Sequence, residues 1–203
     1  MAVLGAMLAT VLLSALGLAI ALIGIGETAL ASREKTARSL RFAAVAAAQA
    51  ALIDLALLPS WDPVLGRGTA DELAETRGRF TEIDLAPPAP WSGRPLDLRA
   101  RTSALRAASG AARGPADGLQ RWRLFANAPF ERLAPATGSG PWYVAVWIAD
   151  DRADTDGDPE RDSNGLVAVR AVAFGPDDAA MAVELTVFRE PGALRLVAIR
   201  PSP

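Results

Sequence analysis

The segment 150–165, which reads DDRADTDGDPERDSNG, is the part of the chain best suited to chemistry. It offers carboxylate and amide oxygens at closely spaced positions, and Ca²⁺ takes about six to eight such ligands. We therefore expect a calcium site in this loop, formed by Asp154, Asp156, Asp158, Asp162 and Asn164. Asp150 and Asp151 precede this set directly.

The spacing of these residues differs from that of an EF-hand. If Asp154 takes the first position, Pro159 stands where a glycine makes the sharp turn, and Gly165 stands where a bidentate glutamate belongs. Two interpretations stay open: a calcium site of another geometry, or a solvated loop whose Asp, Asn and Gly residues form turns. Magnesium is less favoured, because it tolerates irregular all-protein cages poorly.

The composition argues against most other chemistry. The 203 residues include no cysteine and no histidine, so disulfides, Cys/His zinc sites and catalytic groups built on these residues are absent. A net charge of −2 gives no reason to expect a nucleic-acid partner. No serine is accompanied by a recognisable general base. We therefore do not expect an enzyme.

The first 26 residues predict a membrane segment. From Met1 to Gly26 no side chain is charged. A helix of this length, at about 1.5 Å per residue, is long enough to cross a hydrocarbon core about 30 Å thick.

The next segment, 27–58, predicts an amphipathic continuation of the same helix. It contains neither proline nor glycine, and Pro59 ends it. Apolar residues recur at steps of three and four along one stripe, namely Leu30, Ala37, Leu40, Ala44, Ala47, Ala48, Ala51, Leu52 and Leu55. The pattern favours one helix from about Val3 to Leu58. Two helices that meet near Gly24 and Gly26 are the alternative.

A cleaved signal peptide is a competing interpretation of the N-terminal segment. The small residues Ala29 and Ala31 before Ser32 suit cleavage, but the apolar run is longer than a signal core of about 7–15 residues, and no basic region precedes it.

The basic residues that follow the apolar segment bear on its orientation in a membrane. Taken alone, Arg33, Lys35, Arg38 and Arg41 would place the C-terminal part in the cytoplasm.

The remaining sequence divides in two. Residues 59–140 are rich in proline and glycine and predict an irregular connection, which Trp61, Trp91 and Trp122 anchor to a core. Short helical or strand pieces are expected near 70–75 and 119–125. Residues 141–203 contain four runs of strand type with short connections, which predict an antiparallel sheet. The expected fold is α+β: a long helix packed on a four-stranded sheet.

Two regions of the sequence resemble the PilX-type minor pilins of type IV pili. The match is carried by "LLSALGLAIALIGIGETALASREKTARSLRFAAVAAAQAALIDL", and by "DTDGDPERDSNGLVAVRAVAFGP" followed by "AVELTVFRE". The resemblance implies a pilin fold and assembly with other pilin subunits through the N-terminal helix. The helix residues expected to take part in assembly are Leu12, Leu16, Gly17, Ile20 and Glu27.

Two features depart from the family pattern. Family precursors begin with a short basic leader, and none precedes Met1 here, so a periplasmic orientation requires a leader that was removed or lies outside this chain. The glutamate of major pilins is also missing near Gly5, which favours a subunit at the filament tip or in priming.

The resemblance implies a minor pilin or pseudopilin. It would wait in the bacterial inner membrane with a periplasmic domain and then join a filament at the cell surface. The main rival is a single-pass membrane-anchored periplasmic binding domain that never enters a filament. A third possibility is a domain secreted after cleavage at Ala31.

Overall fold

The computed structural model of this chain describes residues 2–67, 85–89, 91–111, 120–135, 141–154 and 156–202. Within the first 29 residues it describes only some side chains, and those of Leu12 and Ile20 lie outside the described part. The chain divides into two compact units, residues 1–38 and 39–203.

The N-terminal helix α1 spans Ala2–Leu57. Gly24 and Gly26 both lie within it, and the Thr28 hydroxyl donates to the carbonyl of Gly24 at 3.0 Å. The structure therefore supports one helix rather than two that meet at these glycines. Pro59 cannot continue the helix. Arg189 then binds the carbonyls of Leu58 and Pro59 at 3.0 and 2.6 Å.

The sheet has five antiparallel strands in sequential order. They are β1 (Arg123–Pro129), β2 (Tyr143–Asp150), β3 (Leu166–Phe174), β4 (Ala180–Glu190) and β5 (Ala193–Ser202). The prediction of four strands is therefore wrong by one, since β1 precedes Pro141. Its period of two is interrupted by a register shift between Leu124 and Ala126, which hides the strand pattern in the sequence.

A second helix, α2 (Leu98–Ala111), also lies in the region expected to be irregular. The Asp97 carboxylate caps it by accepting the N–H of Ala100 at 2.8 Å. Its only buried residue is Leu98. The helix contains only two large apolar residues, Leu98 and Leu105, so the sequence offers few positions from which its period can be recognised. The predicted piece near 70–75 lies outside the described residues.

The sheet is covered on both faces. One face packs on the second half of α1, where the buried stripe is Leu40, Ala43, Ala44, Ala47, Ala48, Ala51 and Leu55. The stripe begins later than predicted, because Leu30 is 67% exposed. The other face packs on Leu98 and Leu105 of α2. Trp61 and Trp122 are buried, as expected for anchors, and Trp91 is half-buried.

Candidate functional site

The acidic loop connects β2 to β3, and the two strands fix its ends. Asp150 is the last residue of β2 and lies opposite Val167 of β3. The loop therefore begins and ends on neighbouring central strands of the sheet. This placement holds its first residues in the protein interior, where Asp150, Asp151 and Asp154 are all buried.

Three of its carboxylates converge. Oxygens of Asp150, Asp154 and Asp156 lie within 4.8 Å of one another, and this cluster could hold a metal ion. Asp150 and Asp154 are buried, whereas Asp156 is exposed. Carboxylates held this close repel each other unless a proton or a cation lies between them. The chemistry available here is the binding of a hard cation by oxygen ligands.

A series of side-chain turns shapes the loop. Asp151 accepts the N–H groups of Ala153 and Asp154 at 2.7 and 2.9 Å. Asp154 accepts the N–H of Asp156 at 3.0 Å, and Asp156 accepts that of Asp158 at 2.8 Å. These are turns in which a carboxylate binds the backbone two residues ahead. The regular spacing of aspartates thus also has a purely structural use.

The distal part of the loop closes back on the cluster. Ser163 donates to Asp154 through its backbone N–H at 2.9 Å and through its hydroxyl at 2.7 Å. Asn164 donates its side-chain amide to Asp151 at 3.2 Å. Gly165 has a φ of 75° and packs against the Phe188 ring, so a side chain there would be strained and crowded. These contacts fix the orientation of Asp154.

The five predicted ligands are therefore only partly brought together. Asp154 and Asp156 belong to the cluster, while Asp158 and Asp162 lie outside it. Their carboxylates bind backbone N–H groups, that of Glu160 at 3.1 Å and that of Gly165 at 2.7 Å. The predicted set lacked Asp150. The sequence did carry a signal for Asp150, because an aspartate that ends an apolar strand is rarely buried without a partner.

The surroundings shift the pKa values of the two buried carboxyl groups of the cluster in opposite directions. Burial, assisted by the nearby Asp154 charge, raises the pKa of Asp150 to about 8. Burial also opposes ionisation of Asp154, but hydrogen bonds from Asp156, Ser163 and Asn164 outweigh it, and the pKa of Asp154 is lowered. The cluster thus has one carboxylate held in the charged form and one that needs a proton or a cation.

The helix residues expected to take part in assembly lie in the first unit. Leu16, Gly17 and Glu27 are exposed, and a side chain added at Gly17 would meet no atom within 4 Å. Exposed large apolar side chains accompany them: Met7, Leu13, Leu18, Leu22, Ile23 and Leu30. By length and composition, α1 is able to cross a membrane, although a signal sequence would share these properties.

Comparison with known protein families found no match, and neither did comparisons with curated proteins and with solved structures.

Proposed function

We propose that this chain is a minor pilin or pseudopilin, a subunit of a type IV pilus or a related secretion filament. The observation that carries the proposal is the contrast within α1. Its second half is buried against an antiparallel sheet, while its first half exposes large apolar side chains. A helix with these two halves suits a subunit that is stored in lipid and later packs against other helices.

The proposed mechanism is assembly rather than catalysis. In the membrane, apolar residues such as Leu13, Leu16 and Leu22 contact lipid. In a filament the same side chains contact helices of neighbouring subunits, so the transfer costs little hydrophobic free energy. Gly17 allows close approach of a neighbouring helix, since nothing else occupies the space beside it.

The test is the amount of protein in filaments sheared from the surface of cells that produce it. Leu16→Arg places a charge on the apolar half of α1 and should abolish recovery in this fraction, whereas Leu16→Met should leave it unchanged. If both variants and the parent chain stay with the membrane in equal amounts, the anchored binding domain is the better account.

We propose further that the acidic loop binds calcium through Asp150, Asp154 and Asp156. The convergence of their carboxylate oxygens supports this assignment. Calcium also accepts irregular geometry, and backbone carbonyls or water would complete its coordination. In this role the ion would fix the loop between β2 and β3 and so stabilise the domain surface, without contributing a chemical step.

The calcium assignment is tested by titration of the purified, chelator-treated chain. Asp156→Asn should weaken calcium binding by tenfold or more, while Asp158→Asn is the matched control. Both aspartates accept a backbone N–H two residues ahead, and only Asp156 belongs to the cluster. Equal effects of the two variants, or no binding by the parent chain at millimolar calcium, would contradict the calcium site. Turn formation would then be the role of these aspartates.

A further inference from the structure

The acidic loop ends in an asparagine followed by a glycine, a pair that deamidates spontaneously in flexible peptides. The chain contains two asparagines, Asn127 and Asn164. Asn127 is buried within β1 and precedes an alanine. Asn164 is only partly buried and precedes Gly165, whose lack of a side chain leaves its backbone nitrogen open to close approach. The sequence therefore points to Asn164 as the position for this reaction.

Deamidation begins when the backbone nitrogen of Gly165 loses its proton and attacks Cγ of Asn164. A bond forms between these two atoms, the bond from Cγ to Nδ2 breaks, and the amide leaves as ammonia with that proton. Water then opens the resulting cyclic imide at either of its C–N bonds. The product is aspartate, or isoaspartate in which the backbone runs through the side chain. The net reaction consumes water, releases ammonia and needs no other reactant.

The closed loop keeps the attacking nitrogen in its protonated form. The N–H of Gly165 donates to the carboxylate of Asp162 at 2.7 Å. Loss of the proton would break this hydrogen bond and place a negative nitrogen beside a negative carboxylate, which is unfavourable. The carbonyl of Gly165 is engaged as well, since it accepts the N–H of Arg189 at 2.8 Å.

The closed loop also holds the side chain that would be attacked. The amide of Asn164 donates to the buried Asp151 at 3.2 Å, and its oxygen accepts the N–H of Leu166 at 2.8 Å. The attack makes Cγ tetrahedral and expels the amide, so the bond to Asp151 is lost and the bond to Leu166 is displaced. The reaction therefore requires that this end of the loop opens first, and its rate is reduced to the fraction of time that the loop is open.

We propose that Asn164 is a deamidation site that the closed acidic loop blocks and that opening of the loop exposes. The change is permanent, because reclosure does not restore the amide. The product carries a carboxylate in place of the amide that contacts Asp151, and the two negative groups repel each other. Isoaspartate also lengthens the backbone just before β3. This inference holds whether or not the chain enters a filament or binds calcium.

Peptide mapping of the full chain in detergent measures the reaction by the change in peptide mass. Trypsin releases the peptide 162–170, which contains Asn164 but not Asn127. At mildly alkaline pH, Asn164 should deamidate about tenfold or more slowly in the folded chain than in the same chain unfolded by guanidinium. This comparison requires no variant.

A pair of variants tests which contact blocks the reaction. Asp162→Ala removes the acceptor of the Gly165 N–H and should speed deamidation of the folded chain by about fivefold or more. Asp158→Ala is the matched control, since Asp158 also accepts a backbone N–H of the loop, that of Glu160 at 3.1 Å, and this variant should react at the rate of the parent chain.

Thermal unfolding shows whether each variant is folded at the temperature of incubation, and the comparison of folded and unfolded parent chain stands in either case. Equal rates in the folded and unfolded parent chain, no deamidation of the unfolded chain, or equal rates for the two folded variants would each overturn the proposal.

Discussion

The backbone N–H of Asp162 donates a hydrogen bond of 3.0 Å to the carboxylate of Asp62, one hundred residues earlier in the chain. Asp62 lies just beyond the end of α1, so this bond ties the acidic loop to the helix terminus. Arg189 of β4 strengthens the same junction. Its guanidinium covers the Trp61 ring at 4.1 Å and binds the last carbonyls of the helix region. The acidic loop is thus linked by direct contacts to the C-terminal end of α1.

Removing the Asp62 carboxylate should destabilise the domain. Asp62→Ala leaves the Asp162 N–H without this partner, and such a loss costs about 1–3 kcal/mol when the group is buried. Since Asp162 is only half-buried, we expect the lower end, a fall in Tm of about 2–4 °C for a chain of this size. Asp62→Asn keeps an acceptor oxygen and should lose less. Equal Tm values for parent and Asp62→Ala would show that the bond does not stabilise the fold.

The packing of α1 on the sheet predicts that alanine substitutions at two leucines, two positions apart, lower the free energy of unfolding by different amounts. Leu55 is fully buried, whereas Leu57 is 64% exposed. Leu55→Ala should therefore destabilise the protein by about 2–5 kcal/mol, and Leu57→Ala by about 0.5 kcal/mol or less. Thermal unfolding of the full chain in detergent measures the difference. Equal losses would mean that the helix does not pack on the sheet in this orientation.

Asp150 predicts a particular pH dependence in the metal-free protein. Its pKa is about 8 in the folded state, against about 3.9 for an aspartate in an unfolded chain. Between these values the folded state binds more protons than the unfolded state, so the free energy of unfolding falls as pH rises. With a chelator present, Tm should drop more between pH 5 and pH 8 for the parent chain than for Asp150→Asn. Parallel curves for the two proteins would contradict the raised pKa.

Part of the fold could be predicted because its patterns are local and regular. The third strand-type run alternates Met181, Val183, Leu185 and Val187, and the structure places these on the α1 side of the sheet. The uninterrupted run of helix-forming residues before Pro59 similarly predicted α1. By contrast, α2 was not predicted, and β1 was expected only as a short helical or strand piece near 119–125. A register shift disturbs the period of β1, and α2 contains only two large apolar residues, Leu98 and Leu105.

The acidic loop could be predicted from the sequence, but the residues that form its carboxylate cluster could not. Spacing alone suggested that all five chosen residues share one role. In the structure, Asp154 and Asp156 form turns and also face the cluster, whereas Asp158 and Asp162 only accept backbone N–H groups. Which aspartates face the cluster depends on how β2 and β3 direct the loop. Asp150 illustrates the limit, because its contribution follows from its position at the end of β2.

The measurement that tests the filament proposal most directly is the identity of the mature N-terminus. Mass spectrometry would be applied to the native protein from membranes and from material sheared off the cell surface. The proposal predicts an apolar N-terminus near Met1, methylated on its first residue, in the sheared fraction. A mature start at Ser32, or an unmodified Met1 found in membranes alone, would contradict it and favour a secreted or simply anchored domain.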